Sequence, residues 1–331
     1  MRIASRLTGG AVLAIVTLLS CRDDRDRTGG PPEAVGFGAI PSGSAALVYV
    51  AQDRGFFAAN RLRVTVKDYP TGVGTIEALQ RGEVDFAWAA EFPLVRRALA
   101  GDQLSVIAAL SRFSDQYLFA RQDRGIGSVA ELKGRRIGVP RNTIAEFYLA
   151  RFLELHGLDI QEVSLVDIQP SQSIELLAGG SLEAVVTWEP YTSRLRAQLA
   201  DKVASWPVQS SQPGYGIIVC RNDWVGSHPD LLARMLKSLV QAEDYLVRHP
   251  RESKGMVRKR VSYDDAFMEV FWAENQFSVS LDHSLVLAME DEARWLIRSH
   301  LTKASQVPDF LDFIYLDGLK AVKPTAVNLI R

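Results

Sequence analysis

Glu91 and Glu189 occupy matched positions in two copies of one pattern. Each lies nine residues after a glycine, Gly82 or Gly180, with a tryptophan (Trp88, Trp188) and a proline (Pro93, Pro190) close by. Together with Asp115 and Glu146 they make four carboxylates at predicted strand ends or helix starts, where open α/β sheets present residues to ligands. Carboxylates in a cleft repel anions and suit an amine or a ring nitrogen. Trp88, Phe113, Trp188 and Tyr215 offer apolar or stacking walls. Three turns point the other way. Ser42-Gly43-Ser44, Thr71-Gly72-Val73-Gly74 and Arg141-Asn142-Thr143 each open a helix, whose unpaired N–H groups at Thr143, Ile144 and Ala145 and their counterparts favour an anionic group. The same residue types also serve as plain caps, and an aromatic beside a strand also serves as core. The candidate ligand contacts are Ser44, Thr71, Gly72, Trp88, Glu91, Phe113, Thr143, Ile144, Ala145, Trp188, Glu189 and Tyr215. Within this set, Thr71–Gly74 and Thr143–Ala145 hold the polar end of the ligand, and Trp88 and Trp188 flank its body.

The elements that must position these residues repeat as well. Ile76-Glu77-x-Leu79-x-x-Gly82-x-Val84-Asp85 returns 98 residues later as Ile174-Glu175-x-Leu177-x-x-Gly180-x-Leu182-Glu183. Each copy reads as a helix closed by glycine, a short buried strand and a turn into a new helix. Around the first copy, strands are expected at 34–40, 63–69, 84–88 and 104–109, with helices at 45–57, 76–81 and 92–100. Around the second, strands are expected at 136–139, 163–168 and 184–187, with helices at 144–156 and 173–178. Gly214-Tyr-Gly216 precedes one more buried strand, and Pro229 to the end reads as almost wholly helical, including 265–275 and 284–301. Such βα series build sheets covered by helices. The expected fold is α/β: two lobes, each a mostly parallel sheet flanked by helices, with a helical C-terminal tail. Lobe 1 takes residues 33–121 and 209–331, and lobe 2 takes 122–208. The chain then crosses between lobes near 112–122 and 208–216, which makes a hinge.

Residues 1–20 read as a signal peptide, with Arg2 and Arg6 before the apolar run Ala11–Leu19. That run is too short for a bilayer, which takes about 20 residues. Leu18-Leu19-Ser20-Cys21 resembles a lipobox, so Cys21 is expected to be acylated and to hold the exported protein to the membrane. Residues 21–32 form a charged, then Gly/Pro-rich, flexible tether. Removing the five arginines and three aspartates of residues 1–32 takes the net charge from −1 to −3. Nothing in that balance attracts nucleic acid. Cys220 is the only other cysteine, follows an apolar run, and is expected in the core.

Catalytic constellations do not emerge. The five histidines, at 156, 228, 249, 283 and 300, have no metal-ligand spacing, and there is no Gly-x-Ser-x-Gly elbow, phosphate-binding loop or dinucleotide glycine pattern. The expectation is a binding protein with no cofactor and no metal.

Ala78-Leu-Gln-Arg-Gly-Glu-Val-Asp-Phe86, Leu132-Lys-Gly-Arg-Arg-Ile-Gly-Val-Pro140, Thr143-Ile-Ala-Glu-Phe-Tyr148 and Trp188-Glu-Pro-Tyr191 resemble segments of ABC-importer substrate-binding proteins of the nitrate/sulfonate/taurine family. The resemblance runs through about residues 35 to 250. It implies a monomeric periplasmic-binding-protein fold, a small solute (sulfonate, nitrate or taurine-like) in the cleft, and a membrane permease with its ATPase as partners. It also leaves open a pyrimidine-like or amine-bearing thiamine-precursor ligand, or a sensory role.

Overall fold

The computed structural model describes residues 31–329 apart from 211 and 262. The expected signal peptide and Cys21 lie outside the described residues. Two sheets organise the chain. The first contains β1 (Glu33–Ala39), β2 (Leu62–Asp68), β3 (Phe86–Ala90) and β4 (Leu104–Phe113). The second is built from one continuous stretch: β5 (Tyr117–Arg121), β6 (Arg136–Val139), β7 (Ser164–Asp167), β8 (Ala184–Thr187) and β9 (Val203–Pro207). The chain then returns to the first sheet through β10 (Gly214–Arg221), β11 (Gln276–Asp282) and β12 (Val327–Asn328).

The strand orders are β12-β11-β4-β10-β3-β1-β2 and β7-β6-β8-β5-β9. The repeat is legible in them, because β2-β1-β3 and β7-β6-β8 are the same parallel triplet made twice. Gly82 and Gly180 end the equivalent helices, Gly72–Gln80 and Ser173–Gly179, at φ +70° and +79°. A side chain at such a φ is strained, which accounts for glycine in both copies.

As expected, strands running one way are the majority in each sheet, β1–β4 in the first and β6–β9 in the second, while β10 runs antiparallel to both β3 and β4, and β5 antiparallel to both β8 and β9. β5 and β10 are the strands by which the chain enters a sheet after crossing from the other. Residues 117–121, assigned to the first lobe, pair in the second sheet, so the crossing is the short segment 114–116. The C-terminal part is mainly helical, as expected, with β11 between two of its helices. β11 alternates like a half-buried strand and pairs antiparallel with β4.

Aromatic packing joins the two sheets' helices. Helix Ile144–Leu155, which follows β6, meets helices Glu91–Leu99 and His283–Arg298, with Phe147 5.8 Å from Phe92 and 5.6 Å from Trp295 between ring centroids. Arg151–Asp291 and Arg298–Glu154 ion pairs flank this contact. Cys220 is a buried free thiol in β10.

Candidate functional site

A cleft of ≈ 450 Å³, open mouth included, is lined from both sheets. Its walls are Ile40, Ser42, Ser44, Gly72, Trp88, Ala90, Pro93 and Phe113 from the first, Asp115 and Gln116 from the crossing, and Thr143, Ile144 and Trp188 from the second. Nearly all follow the last residues of β1, β3, β4, β6 or β8 or open the next helix, where an α/β sheet leaves backbone and side chains free for a ligand. Of the twelve candidate contacts, the structure brings seven to this wall: Ser44, Gly72, Trp88, Phe113, Thr143, Ile144 and Trp188.

The other five lie beside it or behind it. Thr71 caps helix Gly72–Gln80, its hydroxyl accepting from the Gly74 N–H at 3.4 Å. Ala145 is fully buried one residue past the wall. Tyr215 is buried with its hydroxyl 2.8 Å from Ser284 Oγ, while its N–H donates to Glu91 Oε2 at 2.9 Å. Glu91 thus points into the interior rather than the cleft. Burial pushes its carboxyl up to about 8. Glu189 accepts hydrogen bonds from Thr192 Oγ1 and from Ser193 N and Oγ, and so caps the start of helix Tyr191–Leu199. Burial raises it to about 7. It opens onto a neighbouring cavity that shares Ile40 and Trp188 with the cleft, so those two side chains form the partition.

The helix starts differ from expectation too. Thr143 Oγ1 donates to Pro140 O at 2.6 Å, and Glu146 turns back to accept from Asn142 N at 2.6 Å and from Arg141 Nε at 2.9 Å. A buried carboxylate therefore already occupies part of the positive end of helix Ile144–Leu155. Gly72 is small for packing. A Cβ there would stand 2.9 Å from Ala89 Cβ on β3, so Gly72→Val would force helix and strand apart as well as narrowing the cleft. Gly74 is away from the wall and has ordinary room.

Sequence reasoning did not place Ile40, Ser42, Ala90, Pro93, Asp115 or Gln116 among the contacts. The available signal was position: each lies at or just after the end of a strand, and Asp115 and Gln116 fall within the expected crossing. Asp115 is the one acidic or basic side chain on the wall. Gln116 Nε2 donates to its Oδ1 at 2.9 Å, and burial lifts its carboxyl to about 6. Trp88 Nε1 and Gln116 Oε1 are buried and have no hydrogen-bond partner among the described residues.

Known proteins resemble this chain over most of its length. The NMT1/THI5-like family model matches residues 43–253, more than half of the chain. The chain belongs to this family. It is 24% identical over 272 residues to a Brucella abortus (strain 2308) protein described only in general terms as a binding protein, covering 80% of this chain and 82% of that one. It is also 24% identical over 256 residues to the taurine-binding periplasmic protein of Escherichia coli (strain K12), covering 76% and 75% of the two chains. Among solved structures, the alkanesulfonate-binding protein SsuA from Xanthomonas axonopodis pv. citri, bound to MOPS, superposes with a TM-score of 0.75 at 19% identity, over 87% of this chain and all of that one. At these identities the superposition shows the periplasmic-binding-protein fold.

Proposed function

We propose that the protein is exported and captures a small organic solute, sulfonate- or taurine-like, for delivery to the permease and ATPase of an ABC importer. The observation that carries this reading is the cleft itself, whose wall comes from both sheets and from the 114–116 crossing between them. A ligand that touches both sheets stabilises their closed arrangement, and a permease can distinguish closed from open. The two sheets act as two lobes, hinged at 114–116 and where the chain returns from β9 to β10. Ser42, Ser44 and the N–H groups beside Thr143 meet the acidic end of the solute, and Trp88, Phe113 and Trp188 surround its body. The role in this reading is binding rather than catalysis, as in the taurine-binding and alkanesulfonate-binding relatives. Taurine-binding and alkanesulfonate-binding relatives support the solute class.

The test is calorimetry and thermal shift on residues 33–331 with taurine, alkanesulfonates and MOPS. A bound solute raises apparent stability by about 2.7 kcal/mol at a hundredfold excess over its Kd. No heat and no shift with any sulfonate would refute the sulfonate reading.

We also propose that Cys21 carries the membrane anchor. Expressed in its native host, the Cys21→Ala variant is expected to leave the membrane fraction. If it remains there after signal cleavage, acylation is not the anchor.

A further inference from the structure

Asp115 is buried, makes no ion pair among the described residues, and faces a cleft whose wall contains no lysine, arginine or histidine. A carboxylate held in this way is costly unless a cation reaches it. Its one side-chain hydrogen-bond partner is the neighbouring Gln116 amide, which spends its N–H on Asp115 and leaves its own buried Oε1 without a donor. Two adjacent acceptors therefore lack what a protonated nitrogen supplies: several N–H donors and a positive charge. Three aromatic side chains, Trp88, Phe113 and Trp188, line the same small cleft, and aromatic faces favour cations over bare anions. The other carboxylates named from sequence are engaged elsewhere. Glu146 holds Asn142 and Arg141, Glu189 caps its helix, and Glu91 binds the Tyr215 N–H. This leaves Asp115, in the segment that joins the two sheets.

Building on the solute-binding reading, we infer that the natural solute carries a cationic nitrogen, an amine or a protonated ring nitrogen, seated against Asp115 and Gln116, with its acidic or polar end toward Ser42, Ser44 and Thr143. Asp115 is then the specificity-determining residue of the cleft. A solute that has a sulfonate but no nitrogen leaves the carboxylate unpaired and is rejected, because specificity built on a buried polar group penalises the analogue that lacks its partner.

The experiment is titration calorimetry of the wild-type protein and Asp115→Asn with taurine, with ethanesulfonate (taurine without its amine) and with 4-aminopyrimidine. Melting of both unliganded proteins verifies that the variant is folded. The wild type is expected to bind taurine at least tenfold more tightly than ethanesulfonate. Asp115→Asn is expected to lose about tenfold to a hundredfold in taurine affinity, the worth of a charged hydrogen bond, and to hold ethanesulfonate as well as before or better. If 4-aminopyrimidine binds in place of both sulfonates and Asp115→Asn abolishes it, the cationic seat stands while the sulfonate reading falls. If the wild type binds ethanesulfonate as tightly as taurine, or the variant keeps the wild-type preference, the seat is overturned and solute binding stands. If none of the three binds, both readings are overturned.

Discussion

Unfolding free energy is expected to fall as the pH rises from about 5 to 8, and Glu91→Gln with Glu292→Gln is expected to remove much of that slope. Both carboxyls are fully buried, Glu91 at the start of helix Glu91–Leu99 and Glu292 inside helix His283–Arg298, which packs against it. Glu91 Oε2 accepts the Tyr215 N–H, but Glu91 Oε1 and both Glu292 oxygens have no partner among the described residues. Burial raises Glu91 to about 8. It raises Glu292 well above the usual range, with the charge of Glu91 adding to the shift. A folded-state value above the unfolded one means that the native protein binds more protons between the two. Stability is then full below the unfolded value, near pH 4.3, and is lost as pH climbs toward the folded value. Each group adds a slope of up to about 1.4 kcal/mol per pH unit inside that window. Asp115 and Glu189, raised to about 6 and 7, add the same sign over narrower windows. Glu83, Asp123, Glu131, Glu162 and Glu183 are lowered by their partners and work the other way, but only in acid. Urea unfolding of wild type and double variant at pH 5, 6, 7 and 8 checks the expectation. A wild-type stability that is flat or rising over this range would show that the buried pair is not protonated in the native state.

Trp188→Ala is expected to weaken taurine binding by about thirtyfold or more, the scale of a truncated aromatic anchor. Trp188 is 7% exposed and lines both the cleft and the cavity beside Glu189, so removing the indole merges the two spaces and admits water to the ligand. The same truncation is expected to lower stability by about 3–5 kcal/mol, as for other buried tryptophans, although the open cleft beside it favours the lower end. Trp188→Phe separates the effects: it keeps an apolar partition and should recover most of the stability and part of the affinity. Calorimetry with taurine and urea unfolding on both variants provide the measurements. Unchanged affinity in Trp188→Ala would mean that the solute does not reach this wall.

Local patterns carried much of the fold. Apolar periodicity and the glycines at 82 and 180 mark the helix–strand units of both copies, because a helix stop at positive φ and a short buried strand leave their mark within ten residues. The same local logic placed seven cleft-wall residues at strand ends and helix starts. What it could not reach depends on neighbours far along the chain. β10 lies between β3 and β4, and β11 pairs with the other edge of β4; the alternation of Phe277, Val279 and Leu281 is local, but the choice of partner strand is not. The carboxylates divide for the same reason. Glu91, Asp115, Glu146 and Glu189 look alike in sequence, each beside a turn, but which of them meets the cleft is set by tertiary packing. Helix His283–Arg298 and Tyr215 close over Glu91, Ser193 and Thr192 turn Glu189 inward, and the crossing between sheets leaves Asp115 on the wall. Secondary structure follows from the spacing of side chains along the chain, whereas desolvation of a charge depends on everything that packs around it, and only the folded arrangement supplies that.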